Sequence, residues 1–200
     1  PYPRGVSSAE EQNYGVVTAQ FNVESAKRDI GRNRAGHYPT LDLIANAGHT
    51  YTSGGGNGNG NNNNAIGVQW SIPIFSGFAV TSKVRESIAL ENKARNDLET
   101  ARRTASQGAR QAFLGVNSGL AQVKALEAAE VSSKSALESN QLGYQVGVRI
   151  NIDVLNAQKQ LFSTQKDLSK ARYDTIMNGL RLKAAAGTLK ETDLMPVNAL

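Results

Sequence analysis

The side chains best placed to make strong polar contacts lie in the segment GYQVGVRINIDVLNAQ, residues 143–158. Arg149 precedes a predicted helix, and Asp153 falls in its first turn. An arginine fork makes charge-assisted hydrogen bonds of about 1.5–3 kcal/mol each. Such bonds would hold a two-state turn in one state until a binding partner switches it to the other. The alternative is structural: a surface arginine, and an acid that complements the helix dipole.

The sequence offers no candidate for catalysis or metal binding. His37 and His49 lie far apart and lack a metal-ligand spacing such as HExxH, which favours surface or interfacial positions. The run GGGNGNG lacks a following Gly-Lys-Ser/Thr and precedes a strand, so it is a poor phosphate cradle. Cysteine is absent, which excludes disulfides and thiolate metal sites. We therefore predict no enzyme activity, no metal and no cofactor.

The net charge of +5 allows an anionic partner without requiring one. In the segment KVRESIALENKARNDLETARR, basic and acidic residues are mixed as on a solvated helical face. The basic stretch ARRTASQGAR has no interleaved aromatics for base stacking, so no nucleic-acid partner is predicted. A basic helical protein that binds anionic membranes or nucleic acid stays an alternative, which strong salt dependence would reveal.

Two segments alternate between apolar and polar residues and predict strands. The first is TLDLIANAGHTYT, and the second begins near Ala65. Between them, residues 54–64 contain only glycine and asparagine, which predicts a loop. The strand lengths suit a tilted membrane crossing, although a half-buried hairpin on a soluble core would show the same alternation. In a membrane, the lipid-facing residues would be Leu41, Leu43, Tyr51, Ile66, Val68, Trp70, Ile72 and Ile74.

The rest of the chain has helical spacing. A first helix is predicted from Ser7 or Ser8 to about Asn33, and a very long one from about Ala79 to Leu142. Apolar residues in the long helix recur about every 3.5 positions, as in a coiled coil. After a break at GYQVGVR, a third helix from about Ile152 to Ala186 would complete an antiparallel αα-hairpin, with Gly187 as its C-cap glycine.

Neither a transmembrane helix nor a signal peptide is predicted. No apolar run reaches about 18 residues, and the chain begins PYPRG without an apolar leader. We expect a processed or truncated product, or one that needed no export. Two strands cannot close a barrel, so a barrel would need strands from elsewhere.

Three blocks in this order carry a resemblance to a known family: YPTLDLIANAG, VQWSIPIFSGF and the long segment that starts GYQVGVRINIDVLNAQ. The chain resembles the TolC family of bacterial outer-membrane efflux and secretion channels. In that family each protomer has two helix–strand–strand–helix repeats, and three protomers build one barrel and one periplasmic tunnel. The chain resembles the C-terminal repeat alone, so we expect a fragment of a longer protein.

The resemblance implies a fold that is mainly α with one β-hairpin. Long antiparallel coiled-coil helices would form part of a tunnel, and two transmembrane strands would form part of a barrel. Its implied divisions are a tunnel helix in 1–36, a barrel hairpin in 37–77 with an extracellular loop at 53–64, a helical hairpin of the tunnel in 78–188 with its tip turn at 143–150, and a C-terminal segment in 189–200.

The resemblance also assigns roles at the tip. A periplasmic gate would comprise Tyr144, Arg149, Asp153 and Asn156, where Asn156 stands in place of the family's second acidic residue. That departure removes one charge per protomer and weakens any double ring of carboxylates. The turn that meets a periplasmic adaptor protein would comprise Gly143, Val146, Gly147 and Val148. Turn chemistry alone also accounts for these two glycines.

The implied function is a passive exit duct of a tripartite efflux pump or a type I secretion system, located in the outer membrane and extending into the periplasm. Its expected partners are two further copies in a homotrimer, a periplasmic adaptor, an inner-membrane pump and outer-membrane lipid. The pump would set the substrate. The alternative is a structural or adhesive coiled-coil surface protein without transport activity.

Overall fold

The computed structural model describes residues 2–52 and 59–199, and its elements confirm a mainly α fold with one β-hairpin. The chain divides into two compact units, residues 21–95 and residues 1–20 with 96–200. The elements in chain order are α1 (Tyr2–Gln12), α2 (Tyr14–Arg34), a 3-10 helix (Ala35–His37), β1 (Thr40–Thr52), β2 (Asn59–Ser71), α3 (Ala79–Gln145), α4 (Asn151–Ala185), a second 3-10 helix (Glu191–Asp193) and α5 (Met195–Asn198).

The hairpin in unit 21–95 pairs β1 and β2 in antiparallel register from Thr40↔Ser71 to Thr52↔Asn59. The predicted bounds of β1 are confirmed. The predicted loop at 53–64 is wrong for residues 59–64, which belong to β2, because ladder hydrogen bonds use backbone groups and do not require apolar side chains. Residues 53–58 of that loop lie outside the described residues.

The second strand ends earlier than the alternation predicts. It stops at Ser71, so Ile72 and Ile74 follow the strand instead of belonging to it. Pro73 has no backbone N–H to donate to a ladder, which explains the end of pairing. The chain then turns through Gly77 and Phe78, both with positive φ (63° and 62°), before α3 begins.

Helix α2 and the 3-10 helix that follows it contact α3 beside the hairpin. Asn33 donates a side-chain hydrogen bond to the Ser87 hydroxyl, and Ser87 is buried. A Cβ on Gly36 would lie 3.2 Å from Val80 Cγ1, so the 3-10 helix approaches α3 closely there. Ser87 occupies the inward position of α3 at this point, and the neighbouring Ile88 is exposed.

The single N-terminal helix predicted from the sequence is in fact two helices. The first begins at Tyr2, and the break falls at Asn13. Asn13 Oδ1 accepts the Gly15 N–H at 2.9 Å, so its side chain caps the start of α2. Val16, Ala19 and Ile30 form the inward face of α2 and are buried. In unit 1–20 with 96–200, Ala9 and Val16 form the core with Ala105 and Ala109 of α3.

The C-terminal half of α3 and the whole of α4 form the predicted antiparallel αα-hairpin. Ionic and polar pairs join the two helices, with Arg172 donating to Glu127 at 3.1 Å and Gln165 donating to Glu130 at 3.2 Å. Leu161, Thr164, Leu168 and Ala171 of α4 are buried, as their spacing predicts. Gly119 is a close-approach site, because a Cβ there would lie 2.5 Å from Thr175 Oγ1.

Candidate functional site

The tip of the helical hairpin is a Schellman turn that ends α3. Gly147 has φ +82° and donates its N–H to the Tyr144 carbonyl at 3.2 Å, and the Val148 N–H donates to the Gly143 carbonyl at 2.9 Å. The helix therefore extends to Gln145, so residues 143–145 of the predicted tip turn are helical. The predicted need for glycine at residue 147 is explained by its left-handed backbone.

Arg149 is anchored on Gly143. Its N–H donates to the Gly143 carbonyl at 3.0 Å, in addition to the bond from Val148. The aliphatic stem of Arg149 lies over the Gly143 Cα, where an added Cβ would be only 2.5 Å from Arg149 Cγ. Gly143 is consequently buried at a tip whose other residues are exposed.

Two of the predicted gate residues, Tyr144 and Arg149, are exposed at the tip. Tyr144 is 53% exposed and Arg149 is also exposed. Within residues 2–52 and 59–199, neither the Tyr144 hydroxyl nor the Arg149 guanidinium has a hydrogen bond or an ion pair. The turn brings the two residues into one short segment, and both remain available for contacts outside the chain.

Asp153 has a local bond of its own. Its Oδ2 accepts the Ile150 N–H at 3.5 Å, which is the acid-to-backbone half of a capping box. Ile150 has no side-chain acceptor, so the reciprocal half of the motif is missing. The arrangement supports the structural alternative for Asp153, an acid in the first turn of α4. Asn156, one turn later, is exposed.

The tip also has exposed apolar side chains, of which the sequence predicted only some. Val146 and Val148, predicted as adaptor contacts, are 65% and 75% exposed. Beyond the predicted set, Ile150, Ile152 and Leu155 are exposed as well. Their spacing follows no single face of a helix because they cross the turn into α4, which explains why periodicity did not reveal them.

The register of the hairpin places its apolar residues on one face. Leu41 is paired with Trp70, Leu43 with Val68 and Ala45 with Ile66, while Tyr51 is opposite Gly60. This face is exposed throughout the described hairpin, and Ile66 reaches 83%. Towards the loop end it becomes polar, with the His49 ring bonded to the Asn62 side-chain oxygen.

The part of the chain that the structure describes has neither a metal-holding cluster nor a membrane-spanning helix. No group of three or more His, Cys, Asp or Glu residues there could hold a metal ion. Among the helices of residues 2–52 and 59–199, none is both long and apolar enough to cross a membrane.

Comparison with known proteins decides the family. The family model described as "Outer membrane efflux protein" matches residues 5–188. The chain belongs to the outer membrane efflux protein family. This confirms the resemblance seen in the sequence and the expected outer-membrane location, and the family is one of channels, not enzymes.

Relatives of this family member include an outer membrane protein and a secretion protein. Outer membrane protein TolC of Escherichia coli is 33% identical over 96% of this chain and 41% of its own length. Proteases secretion protein PrtF of Dickeya chrysanthemi is 30% identical over 94% of the chain and 41% of its own length. The chain thus spans less than half the length of the curated relatives that it matches.

Solved structures show the same fold. The Campylobacter jejuni CmeC outer membrane channel has a TM-score of 0.79 with 20% identity, over 96% of this chain and 42% of the channel chain. The Neisseria gonorrhoeae MtrE outer membrane channel in its open state has a TM-score of 0.74 with 22% identity, over 92% and 42%. The helix–hairpin–helix arrangement of this family member is therefore the one predicted.

Proposed function

We propose that this chain is one repeat of a passive exit duct that carries substrates out across the outer membrane. The observation that carries the proposal is the exposed apolar face of the hairpin in a chain of this family. An exposed strip of Leu, Val, Ile, Trp and Tyr is costly in water, at about 25 cal/mol for each Å² of apolar surface. Lipid would cover this face, and the polar residues opposite would line the lumen.

Two alternating faces support these roles for the strands. The face opposite the apolar one has Asp42 paired with Gln69 and Asn46 paired with Ala65. An isolated two-stranded hairpin with both faces exposed is unstable in water, so further strands must extend this sheet. In the duct, a second repeat and two further protomers of a homotrimer would supply them.

The tip is proposed to be a gate. Tyr144 and Arg149 present donors that have no partner among the described residues, and charge-assisted bonds from Arg149 to a neighbouring helix pair would hold the tunnel closed. Asp153 would line the constriction, while Asn156 contributes no charge there. Opening would then need only the exchange of a few polar contacts among symmetric copies.

The exposed apolar residues of the tip support a role in docking. A periplasmic adaptor protein would cover Val146 and Val148 beside the glycine turn, and an inner-membrane pump would supply the energy and the substrate selectivity. The relatives include an outer membrane efflux protein and a proteases secretion protein. The chain itself has no catalytic role in this account.

Single-channel recording of the full-length protein in a planar bilayer tests the proposed duct. We expect discrete openings from purified, folded protein at low protein concentration. Folded and inserted protein that gives no channels would contradict the duct and support the structural, coiled-coil alternative.

A further inference from the structure

The backbone conformation at residue 143 does not require a glycine. It lies inside α3, which continues to Gln145, and its φ is not in the left-handed region, unlike that of Gly147. At a helical position, alanine stabilises a helix more than glycine does. A glycine here therefore serves another purpose than a turn.

The space above the Gly143 Cα is filled by Arg149. An added Cβ would be 2.5 Å from Arg149 Cγ, 3.3 Å from Arg149 Cβ and 3.5 Å from Val148 Cγ2. The distance of 2.5 Å to Cγ is a steric clash, far shorter than van der Waals contact. Because Cγ is close to the backbone, rotation of the guanidinium alone would not remove this clash. The stem of Arg149 can follow its present path only if residue 143 has no side chain.

The same residue also fixes the backbone of Arg149. The Gly143 carbonyl accepts the N–H groups of Val148 and Arg149 at 2.9 and 3.0 Å. These bonds use the main chain and would exist with any residue at position 143. Substitution of Gly143 by alanine thus removes the space for the stem and keeps both backbone acceptor bonds available.

We propose that Gly143 is the positioning residue of the tip: its missing side chain directs the Arg149 stem across the end of α3 and so sets where the guanidinium is presented. This inference rests on the proposed gate for its functional consequence. Its structural content, the path of Arg149, stands apart from that proposal and can be measured separately.

The test is a double-mutant cycle on the full-length protein in planar bilayers, with Gly143→Ala, Arg149→Ala and the combined variant. The matched control is Gly108→Ala, the same substitution within α3 at a glycine that has nothing within 4 Å of the added Cβ. We expect Gly143→Ala to raise the conductance several-fold towards the Arg149→Ala value, and to add nothing in the Arg149→Ala background. Gly108→Ala should leave the conductance unchanged.

Thermal unfolding and cryo-electron microscopy separate positioning from simple damage. Gly143→Ala should keep or raise the Tm while displacing Arg149 Cγ from its wild-type place, whereas Gly108→Ala should leave Arg149 in place. An undisplaced Arg149 in Gly143→Ala would overturn the positioning role. If Arg149 Cγ is displaced in Gly143→Ala but neither Gly143→Ala nor Arg149→Ala changes the conductance, the positioning role stands and the proposed gate is contradicted. A rise in conductance that persists in the Arg149→Ala background would also overturn the inference, because Gly143 would then act by another route.

Discussion

Asn13 Nδ2 donates a hydrogen bond of 2.9 Å to the carbonyl oxygen of Ala185, which ties the break between α1 and α2 to the last turn of α4. The same side chain caps α2 through its Oδ1. Asn13 thus pairs the Gly15 N–H at the start of α2 and the Ala185 carbonyl at the end of α4. Helices leave such terminal N–H and carbonyl groups without partners of their own.

Asn13→Ala should therefore lower the free energy of unfolding by about 1–3 kcal/mol, because it removes a cap and leaves a partly buried carbonyl unpaired. Chemical denaturation followed by circular dichroism measures this loss. Asn22→Ala, at an exposed position of α2, is the control and should change stability by less than about 0.5 kcal/mol. Equal effects of the two substitutions would show that the Asn13 bonds contribute nothing.

Gly187 ends α4 at the same junction and should not tolerate a side chain. It has φ +72°, its N–H donates to the Ala184 carbonyl, and the Thr188 N–H donates to the Lys183 carbonyl, which completes a second Schellman motif. A Cβ would lie 2.0 Å from the Gln12 carbonyl oxygen, a backbone atom that cannot rotate away.

Backbone strain alone should make Gly187→Ala destabilise the fold by about 1–3 kcal/mol. Gly179→Ala, inside α4 with open space around the added Cβ, should instead stabilise it by up to about 1 kcal/mol. Denaturation midpoints compare the two variants, and a Gly187→Ala variant as stable as Gly179→Ala would refute the described junction.

The two faces of the hairpin should respond oppositely to a charge. Arginine at Val68, on the apolar face, should cost about 2–4 kcal/mol if that residue lies near the bilayer midplane. Arginine at the neighbouring Gln69, on the polar face, should be accommodated. The fraction of full-length protein recovered in the outer-membrane fraction gives the measurement. Equal recovery of Val68→Arg and Gln69→Arg would mean that the apolar face does not meet lipid.

Asp193 should make the C-terminal segment sensitive to acid. The hydrogen bond from the Lys183 ammonium, at 2.7 Å, and the backbone N–H of Lys190 hold the pKa of the Asp193 carboxyl below its ordinary value. Its contribution to stability is therefore complete above the ordinary carboxyl pKa of about 3.9 and is lost as the pH falls through the lowered pKa.

Proteolysis of the C-terminal segment over this acid range should accelerate in the wild type and should already be fast at neutral pH in Asp193→Asn. Glu138→Gln, at an exposed position of α3, serves as the control. An Asp193→Asn variant that resists proteolysis at neutral pH as well as the wild type does would argue against the ion pair.

Local patterns predicted the elements, and distant contacts determined what the patterns missed. The bounds of β1 follow from alternation in thirteen consecutive residues. The start of β2 could not be predicted, because its Gly/Asn residues carry no alternation and are held by backbone bonds to β1. The cap that Asn13 makes to Gly15 is local, but its bond to Ala185, 172 residues away along the chain, could not be predicted from a local motif.

The tip shows the same division. Gly147 was predictable as a turn residue, because its left-handed backbone is what a helix end commonly requires. The role of Gly143 was not, because it depends on the path of a side chain six positions later. Within the described residues, neither the Tyr144 hydroxyl nor the Arg149 guanidinium has a hydrogen bond or an ion pair, so their proposed gate contacts follow from the family resemblance and not from contacts of this chain.

The most direct test of the gated duct compares the single-channel conductance of the full-length wild type with that of the Tyr144→Phe, Arg149→Ser double variant. We expect a small wild-type conductance that rises several-fold in the double variant, because the polar contacts that close the tip are removed. Channels of unchanged conductance in the double variant, from protein of unchanged stability, would contradict a gate at these two residues.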